Sequence, residues 1–138
     1  MPTESELKAI SASGRVPTNL SVTYDDVHGL WGGAFIMVRG SGGAERRERA
    51  RGSVEPKVFE VAVSQQQLLE LVNLLVELEA WKQQTQDCQP VPDESRATLT
   101  VSIGVQESRV WERCHEMAGN NRLSRIKTKM IEMTGSNQ

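Results

Sequence analysis

Phe59, Val61 and Val63 alternate with Glu60 and Ala62, the two-residue period of a half-buried strand, and at Ser64 the period changes. From there SQQQLLELVNLLVELEAW, residues 64–81, has helical spacing. Ser64 is a natural N-cap, and Gln67 three residues on completes a capping box. On a helical wheel Gln66, Glu70, Asn73 and Glu77 share one narrow polar stripe. Leu68, Leu69, Leu71, Val72, Leu74, Leu75, Val76 and Leu78 fill most of the remaining circumference. That apolar arc spans roughly 260°, whereas one supporting layer covers ~100°. The helix therefore needs a sheet on one side and a second cover, either the C-terminal helix or another copy of the chain. If the C-terminal helix does not reach it, Leu69, Val76 and their neighbours form an apolar patch of the size that marks interfaces. The sequence thus predicts a homodimer through Leu69 and Val76, with the two-fold arrangement common among small oligomers.

The same periodicities place the other elements. Leu20, Val22 and Tyr24 alternate with Ser21 and Thr23 as a first strand, and Asp25, Asp26, His28 and Gly29 break it. AFIMVR, residues 34–39, reads as a second strand, closed by the turn Gly40, Ser41, Gly42 and Gly43. AERRERA, residues 44–50, has helical propensity, but the turn before it makes it a polar return strand. Pro56 separates it from the strand that ends at Ser64. Gln83–Arg96 is a polar loop with Pro90 and Pro92. Leu99, Val101 and Ile103 then alternate with Thr98, Thr100 and Ser102, and Arg109–Glu112 return with Val110 and Trp111. After Gly119 and Asn120–Asn121, a one-sided helix carries Leu123, Ile126, Met130 and Met133, with Arg122, Arg125 and Lys129 opposite. Strands precede and follow a helix without regular βαβ alternation. The expected class is α+β: an antiparallel sheet of two hairpins plus a connecting strand, packed by one long central helix and a C-terminal helix.

Length and charge narrow this only a little. The 138 residues suit one domain, expected over residues 20–134, with a tail at 135–138. Met1–Asn19 is polar and reads as a disordered leader without the charged-then-apolar pattern of a signal peptide. Apolar runs fall far short of the roughly 20 residues that span a bilayer, so a cytoplasmic protein is expected. The net charge of −2 exerts no global pull on nucleic acid or anionic lipid. It is uneven, with two basic and six acidic residues in 64–96 against six basic and four acidic in 97–138.

The early strand ending at Tyr24, the strand and glycine turn IMVRGSGG at 36–43, VAVSQQQLLELVNLL at 61–75, and Pro92–Asp93 before the strand Leu99–Ile103 carry a family likeness. Over residues 20–133 the chain resembles a group of small uncharacterised bacterial α+β domains, found alone or behind a lipoprotein signal. It departs from that group in its arginine-rich return strand and in lacking the lipoprotein signal. The group has no established activity, so the resemblance implies an order of elements and no residue roles.

No reactive set outweighs its structural explanation. His28, His115, Cys88 and Cys114 are the only soft ligands, and they lack the two locally spaced pairs of a structural zinc site. No metal or cofactor is expected. The two cysteines read as reduced thiols, while a secreted precursor with a trimmed leader would allow them to bridge. Asp25, Asp26 and His28 share one turn, which could supply a hydrolase-like site, but Asp beside Gly is also what turns select. The loop His28–Gly33 lacks the Lys and hydroxyl of a phosphate-binding loop. Trp31 within it is either a contact residue or a plug at the end of the sheet. Arg46, Arg47, Arg49 and Arg51, with Arg39 across the turn, are the densest charge cluster. A strand would split them between its faces, Glu45 and Glu48 offset part of the charge, and no aromatic interleaves them to stack a base. A solvated sheet edge is the expected role. The resulting expectation is a non-enzymatic protein-binding module with a surface drawn from Trp31, Arg39, Arg46, Arg47 and Arg49. A small hydrolase using His28 with Asp25 or Asp26, and a weak nucleic-acid binder through the Arg46–Arg51 strand, are the alternatives.

Overall fold

The computed structural model describes residues 2–26, 33–49, 57–81, 96–113 and 122–134. Among them lie three helices, α1 (Pro2–Ser13), α2 (Gln65–Glu77) and α3 (Arg122–Met133). The strands are β1 (Leu20–Asp25), β2 (Gly33–Arg39), β3 (Gly43–Arg49), β4 (Lys57–Ala62), β5 (Arg96–Ile103) and β6 (Gln106–Arg113). They form one six-stranded sheet in the order β4-β3-β2-β1-β5-β6, antiparallel at every pairing. The class is α+β. The chain winds outward from β1 to β4, crosses through α2, and lays β5 against the free side of β1.

Among the described residues, helices cover one face of the sheet and no element covers the other, here called the open face. On the covered face Val22 of β1 stands between Val38 of β2 and Val101 of β5, and Tyr24 between Ile36 and Leu99. All six side chains are buried. Strict alternation sends Ser21, Thr23, Met37, Thr98, Thr100 and Ser102 to the opposite face. Over the covered face α1 packs against α2, β5 and β6, while α3 packs against α2 and β2.

Helix α2 starts as its sequence predicts. The Ser64 hydroxyl accepts from the Gln67 N–H at 3.1 Å, and the Gln67 side chain accepts from the Ser64 N–H at 2.9 Å. It stops earlier, however, at Glu77, with Leu78 as C-cap and Glu79 at φ 51° in a turn that runs to Trp81. Leu68, Leu71, Val72 and Leu75 are buried to 1 % exposure or less, and Leu69, Leu74, Val76 and Leu78 pack partly against the same core. The polar stripe makes interhelical contacts. Glu70 accepts from Lys129 of α3 at 2.7 Å, Glu77 accepts from Arg125 at 3.1 Å, and Asn73 accepts from Ser11 of α1 at 2.6 Å.

The N-terminal segment corrects the expectation of a disordered leader. Residues 2–13 form α1, whose Leu7 and Ile10 are 0 % and 5 % exposed in the common core. A segment this poor in apolar residues is ordered by tertiary burial rather than propensity. Gly14, at φ +72°, ends the helix with its N–H on the Ile10 carbonyl at 3.0 Å. This also changes the argument for a homodimer. Asn73 adjoins Leu69 and Val76 on the helix surface, four residues after the one and three before the other, and its bond to Ser11 shows that α1 borders this flank. Part of the cover for this flank thus comes from α1 of the same chain, and Leu69 and Val76 are half-buried there.

Candidate functional site

The arginines of β3 divide between the faces, and the strand is not the edge of the sheet. It lies between β2 and β4, so the solvated edge expected of it belongs to β4. Arg46 points into the covered layer and is 1 % exposed, which removes it from any binding surface. Its guanidinium stacks 4.3 Å from the centre of the Phe59 ring, directly opposite on β4. One terminal nitrogen donates, at 3.4 Å each, to the Ile131 carbonyl and the Thr134 hydroxyl at the end of α3. Its Nε lies 3.1 Å from a Glu48 carboxylate oxygen but is not aligned to hydrogen-bond. Arg46 therefore joins β3, β4 and the C-terminal end of α3, where exposed carbonyls favour a cation.

Arg47 and Arg39 remain on the open face. Arg47 pairs with Glu45 on its own strand and sits 6.0 Å from the ring centre of Phe35, its register partner on β2. An aromatic does therefore interleave the arginines, contrary to the expectation from sequence. The signal was cross-strand register, which a linear reading of 44–50 cannot supply. Arg49 ends β3 opposite Gly33. Read across the sheet, one open-face row runs Val58, Arg47, Phe35, Asp25, Thr98, Trp111. The next runs Glu60, Glu45, Met37, Thr23, Thr100, Arg109. Beyond it Arg39 stands opposite Ser21, which faces Ser102, which faces Glu107. Phe35, Met37 and Trp111 are half-buried, and Val58 is 52 % exposed. The face is thus a shallow mixture of apolar, hydroxyl and charged groups rather than a pocket.

The turn that suggested an enzyme is a structural anchor on its Asp26 side. The Asp26 carboxylate accepts from the Tyr24 hydroxyl, the Lys127 ammonium and the Ala34 N–H, each at 2.7 Å. The Asp26 N–H in turn donates to the Ala34 carbonyl at 3.0 Å. Gly33, at φ +139°, lets this approach happen, since a Cβ there would sit 2.6 Å from the Asp26 carbonyl oxygen. Asp26 so fastens α3 to the mouth of the β1–β2 connection. No serine or threonine hydroxyl bonds to it among the described residues. Asp25 is exposed on the open face. His28, Trp31, Arg51, Cys88, Cys114 and His115 lie outside the described residues. Among the described residues no cluster of three or more His, Cys, Asp or Glu could hold a metal ion, and no helix is long and apolar enough to cross a membrane.

Two surface ion pairs shift the protonation of their members. The Lys129 ammonium bonded to Glu70, helped by the Gln66 amide, holds that carboxyl below its ordinary value. The Glu4 carboxylate, bonded to Lys8 one helical turn on, raises the lysine. Both are ordinary interhelical or intrahelical pairs, not the perturbed groups of a catalytic centre.

No protein-family model matches the chain, and no curated protein matches it. The likeness described above therefore rests on its own residues.

Proposed function

We propose that the chain is a non-enzymatic protein-binding module that uses the open face of its sheet. The supporting observation is the asymmetry of the layers. Three helices cover one face, while Phe35, Met37 and Val58 lie on the other among Arg39, Arg47 and Arg109 with no layer over them among the described residues. Half-buried aromatic and methionine side chains interspersed with arginine are the composition enriched in protein interfaces. A rigid sheet presents them without the entropy cost of ordering a loop. Capture from a lysate of the native host, using the full chain as bait, tests this. Wild type should retain a defined set of proteins that Phe35→Glu and Met37→Glu lose while melting at the wild-type temperature. Retention of the same proteins by all three baits would refute it.

The approach of Arg47 to the Phe35 ring, at 6.0 Å, gives the nucleic-acid reading its one favourable observation, since an arginine–aromatic pair on a sheet can hold a base. Glu45 and Glu60 beside it oppose phosphate. Salt-sensitive binding of oligothymidylate, lost in Arg47→Ala, would favour this second reading.

A further inference from the structure

The sheet ends on two edges that are guarded differently. On β6 the open-face residues Glu107 and Arg109 are charged and 3.9 Å apart, and α1 packs against the strand. Charges and covering elements are how proteins keep edges from pairing. On β4 the strand runs Lys57–Ala62 with no proline and pairs with β3 in unbroken register. The Val63 N–H donates to the Gly42 carbonyl at 2.8 Å, so by alternation residues 57, 59 and 61 bond to β3. The N–H and C=O groups of Val58, Glu60 and Ala62 then face outward, and no strand takes them among the described residues.

Among the described residues, side chains along this edge have strand neighbours on the β3 side only. Val58 is 52 % exposed; Phe59 and Val61, which turn toward the core, are only half-buried. Glu60 stands directly opposite Glu45, a like-charge pair that destabilises a sheet. Glu45 is paired with Arg47, whereas Glu60 meets no cation among the described side chains. A strand laid beside β4 would complete the ladder, bury the outer flanks of Phe59 and Val61, and could bring a cation to Glu60.

We propose that the β4 edge takes up an extended segment of a partner protein as a seventh strand, with apolar residues beside Phe59 and Val61 and a lysine or arginine facing Glu60. This is strand addition, in which backbone bonds supply affinity and alternate side chains supply specificity. A second copy of this chain is the poorer occupant: two-fold pairing of β4 centred on Glu60 sets two further like charges together. The site is distinct from the open face and rests on the protein-binding reading only in that its ligand is a polypeptide.

Fluorescence anisotropy on the full chain tests it with four labelled probes. These are an octapeptide alternating valine with lysine, one alternating valine with glutamate, a lysine peptide of equal charge whose valines are prolines, and oligothymidylate. The valine–lysine peptide should bind at least about fivefold more tightly than the glutamate peptide, the scale of one favourable surface pair. The proline peptide should not bind. Glu60→Lys should invert the preference, and Val58→Pro, which removes an outward N–H and no bond to β3, should abolish binding of both valine peptides. If Val58→Pro melts early, Glu60→Lys alone carries the test, because it leaves the backbone unchanged. Equal binding of the proline peptide, unchanged preference in Glu60→Lys, or tight binding of oligothymidylate alone overturns the proposal. Host proteins lost with Phe35→Glu but kept by Val58→Pro would leave the open-face reading standing and remove this one.

Discussion

Replacing Arg46 by alanine and, separately, by methionine distinguishes what this buried cation contributes by charge from what it contributes by filling space. The guanidinium lies on the Phe59 ring at 4.3 Å, a contact worth about 2 kcal/mol when desolvated. Its two hydrogen bonds, at 3.4 Å, are longer than the 2.7–3.2 Å of strong ones and add little. The Glu48 side chain near Nε is 41 % exposed, so solvent screens that pair to about 0.5 kcal/mol. Against these stands the loss of hydration, several kcal/mol for a buried ion. The charge terms therefore nearly cancel, and the arginine stabilises mainly through its long stem and flat head packed between β3, β4 and α3.

From this, Arg46→Ala should cost about 3 kcal/mol, as a large-to-small change that leaves a cavity. In a domain of this size that is a fall in Tm of about 10 °C. Arg46→Met keeps most of the volume and removes the ion, and should stay within about 1 kcal/mol of wild type, in either direction. Urea unfolding followed by circular dichroism gives both values, with an unchanged slope showing that the unfolded states are comparable. If methionine costs as much as alanine, the cation itself holds the end of α3 and the cancellation argued here is wrong. If alanine costs nothing, Arg46 is not buried in solution.

Leu7→Ala should destabilise the whole domain by about 2–3 kcal/mol in the same assay, because α1 belongs to the common core; a change near zero would return residues 2–13 to the status of a leader. Asp26→Asn keeps the shape but leaves the Lys127 ammonium without its anion, and should cost about 1–2 kcal/mol, lost when Lys127→Met is combined with it. Glu70 has its folded value held below the ordinary 4.5 by Lys129, so its contribution is present above that pH and is lost as pH falls through the lowered value. Acid titration of stability should show this loss in wild type, and Glu70→Gln should lack that component. An identical acid limb in Glu70→Gln would show that the pair contributes nothing.

The elements with a strong local signal were readable. Strict alternation marked β1 and β5, and the capping box marked the start of α2 to the residue, because these signals depend only on neighbours in the chain. The end of α2 was not readable. Leu78, Ala80 and Trp81 continue the apolar pattern, yet Glu79 takes a positive φ and the chain turns, with Ala80 and Trp81 still buried. Periodicity reports which residues are inside, and a turn can bury them as well as a helix does. Helix α1 was missed for a different reason. Pro2 at its first position and Gly14 just past its end bracket it as helix boundaries often are, with Leu7 and Ile10 three apart on one face. The polar composition of residues 1–19 outweighed that bracket, although two buried aliphatic side chains of about 1.5–3 kcal/mol each suffice to dock a short helix.

What separates the two halves of the arginine cluster is parity, and parity acquires meaning only once the faces of the sheet are assigned. Composition ranks Arg46 and Arg47 as equals, adjacent and equally charged. The fold makes one a buried tie between strand and helix, and leaves the other on an open face beside an aromatic. Helix α1 takes part in that assignment, since it and α3 together keep all helical cover on one side. Among the described residues, unused bonding capacity lies on the open face and along the β4 edge, where β4 offers backbone donors, half-covered Phe59 and Val61, and the carboxylate of Glu60 along one line. A single variant at Glu60 that changes which peptide binds, and leaves stability unchanged, would locate recognition on that line rather than in the arginines that dominate the sequence.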